Sequence, residues 1–217
     1  MFTGIITEMG TVDRAQRSTG GVRLTVRAPQ SSAELHVNDS VSVNGVCQTV
    51  VALDRVLFSV EAVEETLSKT TLGELANGDS VNLELPMRLQ DRIGGHLVAG
   101  HVDGVGRVES VVEQAGSRLI RIAYPAGFER YLIPVGSIAV DGISLTVARL
   151  EDGAFTVSII PHTLAHTTLG KAARGMRVNL EFDLVGKYIE RMVSVGRTDG
   201  PTGGITAEKL GQWGISA

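Results

Sequence analysis

Two stretches of this chain place small polar side chains two residues apart: Cys47 and Thr49 in VNGVCQTV, and Ser144 and Thr146 in VDGISLTV. In an extended strand positions i and i+2 share a face, so each stretch offers two hydrogen-bonding groups to one side. Such a pair could face a ligand. Cys47 read alone also fits the common fate of a free thiol, a small buried hydrophobe. His101, in GHVDG, is of the residue type suited to moving a proton, or could sit satisfied at a barrel rim. Asp141 and Asn44 each precede a glycine, and Asp-Gly and Asn-Gly favour tight hairpin turns, which accounts for Asp141 without chemistry. His96 and His162 suggest no role.

Other chemistries fit less well. HLVAGH separates two imidazoles by a spacing that matches neither a helix face nor a strand face. A single cysteine excludes a disulfide framework and a cysteine zinc site within one chain. GGHLVAGHVDGVG is glycine-rich, but no helix follows it to cradle a phosphate, so a dinucleotide fingerprint is rejected. Cys47 and His101 together raise a two-barrel protease, which would need both within reach of each other and a third group to orient the base.

The elements that must position these residues come in two copies. Ser40–Glu84 aligned on Ser137–Glu181 gives identity at nearly half the positions without a gap, including ETLSKTTLG on HTLAHTTLG and VNLE on VNLE. FTGIITEMGTV also matches VAGHVDGVGRV, in a register one residue shorter. A duplication is the first feature to settle, because it decides the fold. Alternation and β-branched content mark strands over 21–29, 40–45, 47–53, 56–63 and 80–85, with counterparts in the second copy. Short strands at close spacing predict an all-β barrel or sandwich. The TTLG segments predict a short helical turn stopped by glycine. Residues 87–95 read as a linker. FDLVGKYIERMVSV places Leu184, Val185, Tyr188, Ile189, Met192 and Val195 at helical spacing, an amphipathic helix outside the repeat. Its apolar stripe is covered either by subunit assembly or by the chain's own barrels. A polar linker and a last short helix over ITAEKLGQWGI close the chain. The expected domains are 1–93, 94–184 and 185–217.

The totals bound the partners. At 217 residues, 43% hydrophobic and 20% charged, the chain can bury two small cores. A formal charge of −4 argues against nucleic acid and against an anionic membrane surface. The first residues lack a basic stretch followed by an apolar run, and no run is long enough to span a membrane, so a cytoplasmic protein is expected.

Taken together, the opening MFTGI, the paired VNGVCQTV and VDGISLTV, the central GGHLVAGHVDG, the two TTLG segments and the closing helix resemble the riboflavin synthase family over residues 1–195. The resemblance implies two tandem six-stranded Greek-key β-barrels and a C-terminal helix through which three chains associate. It implies no metal and no redox cofactor. The implied reaction takes two molecules of 6,7-dimethyl-8-ribityllumazine, both held in one active site, and moves a four-carbon unit between them. Riboflavin and 5-amino-6-ribitylamino-2,4-pyrimidinedione result. The N-terminal barrel of one chain would face the C-terminal barrel of a neighbour, and association with the lumazine-forming enzyme is a further expectation. Binding-only relatives make a non-catalytic lumazine or flavin carrier the alternative.

By the same resemblance, Cys47, His101, Ser144, Thr146 and Asp141 are the catalytic candidates. The substrate would be lined by Phe2, Gly4, Ile5, Ile6, Ser40, Gln48, Thr49, Glu61, Ala62, Val63 and Thr66 around the first barrel. Gly100, Val102, Leu145, Ser158, Ile160, Pro161 and Thr163 complete the lining around the second. Two positions depart from the family pattern: Val135 stands where many members carry lysine, and Gln48 where many carry leucine. Strand alternation turns Gln48 away from the face that holds Cys47 and Thr49.

Overall fold

The computed structural model describes residues 1–196. Barrel one is built from β1 (Glu8–Ser18), β2 (Gly21–Arg27), β3 (Ser40–Val43), β4 (Val46–Asp54), β5 (Leu57–Val63) and β6 (Ser80–Glu84). Barrel two repeats it with β7 (Gly104–Gln114), β8 (Ser117–Ala123), β9 (Ser137–Val140), β10 (Ile143–Glu151), β11 (Ala154–Ile159) and β12 (Arg177–Phe182). Both close in the order one-two-five-four-three-six, every pairing antiparallel, so the expected pair of Greek-key barrels is present. Closure leaves no unpaired strand edge.

Alternation sets the cores. In β2, Val22, Leu24 and Val26 are buried while Arg23 and Arg27 face out. Each barrel holds its own apolar cluster, centred on residues such as Phe58 and Leu83 in the first and Phe155 and Phe182 in the second. The register shifts at matching places in both copies, between Val12 and Arg14 and between Val108 and Ser110. A second matched pair lies between Val50 and Ala52 and between Val147 and Arg149. Such bulges bend a strand enough to close a small barrel. Beyond the bulge neither β1 nor β7 buries a side chain, so apolar alternation does not mark those strands in the sequence.

Asn44 and Gly45 both have positive φ, as do Asp141 and Gly142, so both hairpins are the type I′ turns expected. The helical turns after β5 and β11 are present as α2 (Glu64–Lys69) and α3 (Pro161–His166). Their stop differs from expectation. Thr70 and Thr167 end them in extended conformation, each hydroxyl donating back to the carbonyl four residues earlier, and the glycines fall in the following 3-10 turns. A further short helix, α1 (Pro29–Glu34), starts on a proline, and the Glu8 carboxylate accepts from the Gln30 and Ser31 amides. The amphipathic helix is α4 (Leu184–Gly196), a separate unit from Val185 onward. The last short helix expected over ITAEKLGQWGI lies outside the described residues. Among the described residues no helix is long and apolar enough to cross a membrane.

Candidate functional site

Two segments precede the barrels, and each crosses to the barrel it does not belong to. Residues 1–7 lead into β1, yet the Gly4 carbonyl accepts the Ser144 amide on β10 at 2.7 Å, and Ile6 packs on the second core. Residues 96–103 lead into β7, yet the Gly100 carbonyl accepts the Cys47 amide on β4 at 2.8 Å, and Val102 packs on the first core. The segments run antiparallel, joined by Phe2 N–H to Val98 O at 2.7 Å and Val98 N–H to Phe2 O at 3.0 Å.

A buried carboxylate anchors each crossing. Glu181 accepts amides from Ala99 (2.6 Å), Gly100 (2.8 Å) and His101 (2.9 Å). Glu84 accepts from the Thr3 amide and hydroxyl and from the Gly4 amide at 2.6, 2.7 and 2.9 Å. Burial raises the Glu84 carboxyl above its ordinary range, against the pull of these N–H groups. Gly4 and Gly100 take positive φ, and a Cβ on either would lie 2.6 Å from the Cβ of Ser144 or Cys47. Only glycine lets the crossing backbone lie flat on those strands.

Two half-sites result. On barrel one, Cys47 is half-buried and Thr49 exposed on the outer face of β4, Ser40 stands opposite Thr49, and the crossing brings Gly100 and the exposed His101. On barrel two, Ser144 is half-buried, Thr146 is exposed, and the crossing brings Gly4 and the exposed Ile5. The repeat alignment equates His101 with Ile5, but the structure exchanges them: His101 accompanies Cys47, and Ile5 accompanies Ser144. Glu61 and Val63 are exposed on β5 and Thr66 is half-buried on α2. Their counterparts are exposed Ser158, Ile160 and Pro161 and half-buried Thr163.

Several expected lining residues point elsewhere. Gln48 is 6% exposed, turned into the first barrel as alternation predicts, its amide donating to the Cys47 carbonyl. Ala62 and Leu145 pack on the barrel cores for the same reason, so none of the three presents a side chain to the outer face. Phe2 has no exposed surface; it packs with Val98, Ala139 and Cys47 between the barrels and so backs the Cys47 side of the site.

Asp141 belongs to a different set of contacts. Its carboxylate accepts the Asn179 amide at 2.7 Å, as Asn44 accepts the Asn82 amide at 2.7 Å. Asn82 and Asn179 then bridge the barrels, donating to the Asp141 and Asn44 carbonyls and accepting from the Thr168 and Thr71 amides. Burial pushes the Asp141 carboxyl up to about 7.

Three residues escaped the sequence reading, Glu84, Glu181 and Gly95, and His96 was one for which it suggested no role. The glutamates did carry a signal, since each ends an identical VNLE whose last side chain has no apolar reason to persist. Gly95 and His96 sit against Ser144, and His96 Nδ1 is 2.7 Å from its hydroxyl oxygen. Among the described residues no group of three or more His, Cys, Asp or Glu could hold a metal ion.

The fold is a tandem of closed six-stranded barrels in which the segment leading into each barrel crosses an outer strand of the other. The lumazine binding domain family model matches twice, at residues 3–86 and 99–183. A riboflavin synthase of Actinobacillus pleuropneumoniae is 41% identical over 99% of this chain and 100% of its own length. One of Mycobacterium bovis is 46% identical over 89% and 98%, and one of Bacillus subtilis 37% over 89% and 90%. LumP complexed with riboflavin superposes with a TM-score of 0.79 at 22% identity, covering 84% of this chain and 99% of LumP, a likeness of fold. The chain belongs to the riboflavin synthase family.

Proposed function

We propose that the chain is a lumazine dismutase: it takes two molecules of 6,7-dimethyl-8-ribityllumazine and transfers a four-carbon unit from one to the other. Riboflavin and 5-amino-6-ribitylamino-2,4-pyrimidinedione are the products. Together they contain the atoms of the two substrates, so the transfer needs no external oxidant. The observation that carries the reading is the pair of half-sites with unlike residues, Cys47 with His101 on one barrel and Ser144 with His96 on the other. Similar barrels bind the same molecule twice, and unlike residues let one act as donor and one as acceptor. Holding both reactants side by side can contribute up to about 7–11 kcal/mol toward the barrier.

In this reading Thr49, Thr146, Ser40 and Ser144 hydrogen-bond the pteridine edge. His101 removes or orients the proton of the acidic C7 methyl group, and Cys47 contacts the ring. Glu61, Val63 and Thr66, with Ser158, Ile160, Pro161 and Thr163, line the rims. The barrels comprise residues 1–93 and 94–184. Residues 185–217 carry the helix whose stripe of Val185, Tyr188, Ile189, Met192 and Val195 supports assembly as a homotrimer, which brings unlike half-sites of neighbours together. The protein works in the reducing cytoplasm, consistent with its one free cysteine, and association with the lumazine-forming enzyme would shorten the substrate's path.

Incubation with 6,7-dimethyl-8-ribityllumazine alone tests the reading. Riboflavin should appear without added cofactor, one molecule for every two lumazines consumed. Tight binding without turnover would establish instead a non-catalytic lumazine or flavin carrier. Cys47→Ser should keep binding and lower turnover; an unchanged rate removes Cys47 from the chemistry. Light scattering should give three times 23.0 kDa, and a monomer would refute the trimer.

A further inference from the structure

His96 is placed against Ser144 in a way that specifies more than packing. Its Nδ1 lies 2.7 Å from Ser144 Oγ, while its Nε2 is enclosed with no hydrogen-bond partner. Burial holds the imidazole below the ordinary histidine range, against the opposing pull of the Asp183 carboxylate, so the ring is neutral at pH 7 and carries one N–H. With the proton on Nε2, a buried donor would have no acceptor. On Nδ1 it has Ser144 Oγ, and the unmet group is only a lone pair. Buried donors without acceptors are rarer than under-used acceptors, which selects the Nδ1–H tautomer.

A hydroxyl that accepts from His96 keeps its own proton for another acceptor. The Ser144 amide is already committed to the Gly4 carbonyl, and the Gly95 backbone closes one side of the hydroxyl, where a Cβ would come within 2.6 Å of Oγ. Ser144 is half-buried and shares its strand face with exposed Thr146, two residues on. We propose that His96 is a positioning residue of the second half-site: its Nδ1–H fixes Ser144 Oγ as a donor toward a carbonyl oxygen or ring nitrogen of the bound lumazine. The proposal rests on the reading of Ser144 as ligand-facing. Among the described residues no histidine bonds Cys47 Sγ, so the device belongs to one half-site and helps the two treat one molecule differently.

Nitrogen NMR of histidine-labelled protein without ligand reads the tautomer directly; a protonated Nδ1 is expected, and a protonated Nε2 overturns the proposal. A cycle of His96→Leu and Ser144→Ala is then measured by turnover of 6,7-dimethyl-8-ribityllumazine. His96→Leu should lower kcat/KM about tenfold, as loss of one orienting hydrogen bond does, but less than about twofold in the Ser144→Ala background. His96→Asn, whose amide N–H falls near the place of Nδ1–H, should restore most of the loss. No loss, or equal loss in both backgrounds, overturns the proposal. An unchanged kcat/KM for Ser144→Ala alone would strike instead at the reading of Ser144 beneath it.

Discussion

Replacing Asp141 by asparagine should stabilise this protein, and by an amount that depends on pH. Asp141 is 3% exposed, and burial raises its carboxyl from 3.8 to about 7. The folded state therefore holds this proton more tightly than the unfolded state. The stability associated with it is fully present below pH 3.8 and is lost progressively as pH rises to about 7, beyond which the loss is constant. At 1.36 kcal/mol per unit, a shift of roughly three units corresponds to about 4 kcal/mol. The first copy shows that an amide fits: Asn44 has φ 47 against 45 for Asp141, accepts the equivalent amide at the same distance, and leaves no buried side-chain atom unpaired. Urea unfolding of Asp141→Asn and the parent should agree near pH 4 and diverge by about 4 kcal/mol above pH 7, equivalent to about 10 °C in Tm. Asn44→Asp should impose the reverse difference. A stability difference that stays constant between pH 4 and 7.5 would refute the reasoning.

Gly100→Ala adds a Cβ 2.6 Å from the Cys47 Cβ at a positive φ, and should cost about 2–5 kcal/mol in thermal unfolding and weaken lumazine binding at the first half-site. Unaltered stability would mean the crossing segment does not lie on β4. Glu181→Gln replaces one of the two carboxylate oxygens that accept from three backbone N–H groups with an NH2 donor, and should lose about 2–4 kcal/mol and lower turnover as Gly100 and His101 come loose. Turnover equal to the parent's would separate the anchor from the site. Val135, a β-branched residue at φ 62, matches Asn38 at φ 78 in the first copy. Val135→Asn should raise stability by about 1 kcal/mol, and a lower Tm would count against strain at that position.

The sequence by itself determined the duplication, the hairpins at Asn44-Gly45 and Asp141-Gly142, the shared faces of Cys47 with Thr49 and of Ser144 with Thr146, and the opposite face of Gln48. All of these follow from local rules: φ preference at a turn, a period of two along a strand, and identity between copies. It did not reveal β1 and β7, because beyond their bulges they bury no side chain and so carry no apolar alternation. It also gave no hint that the leading segments change places, since hydrophobic patterning reports which face is buried and not against what. Gly4 meeting Ser144, and Gly100 meeting Cys47, are contacts across long stretches of chain that exist only once two closed barrels lie side by side. The tertiary structure therefore decided which barrel each leading segment lies against, moved Asp141 into the seam between the barrels, and gave His96 a partner in Ser144.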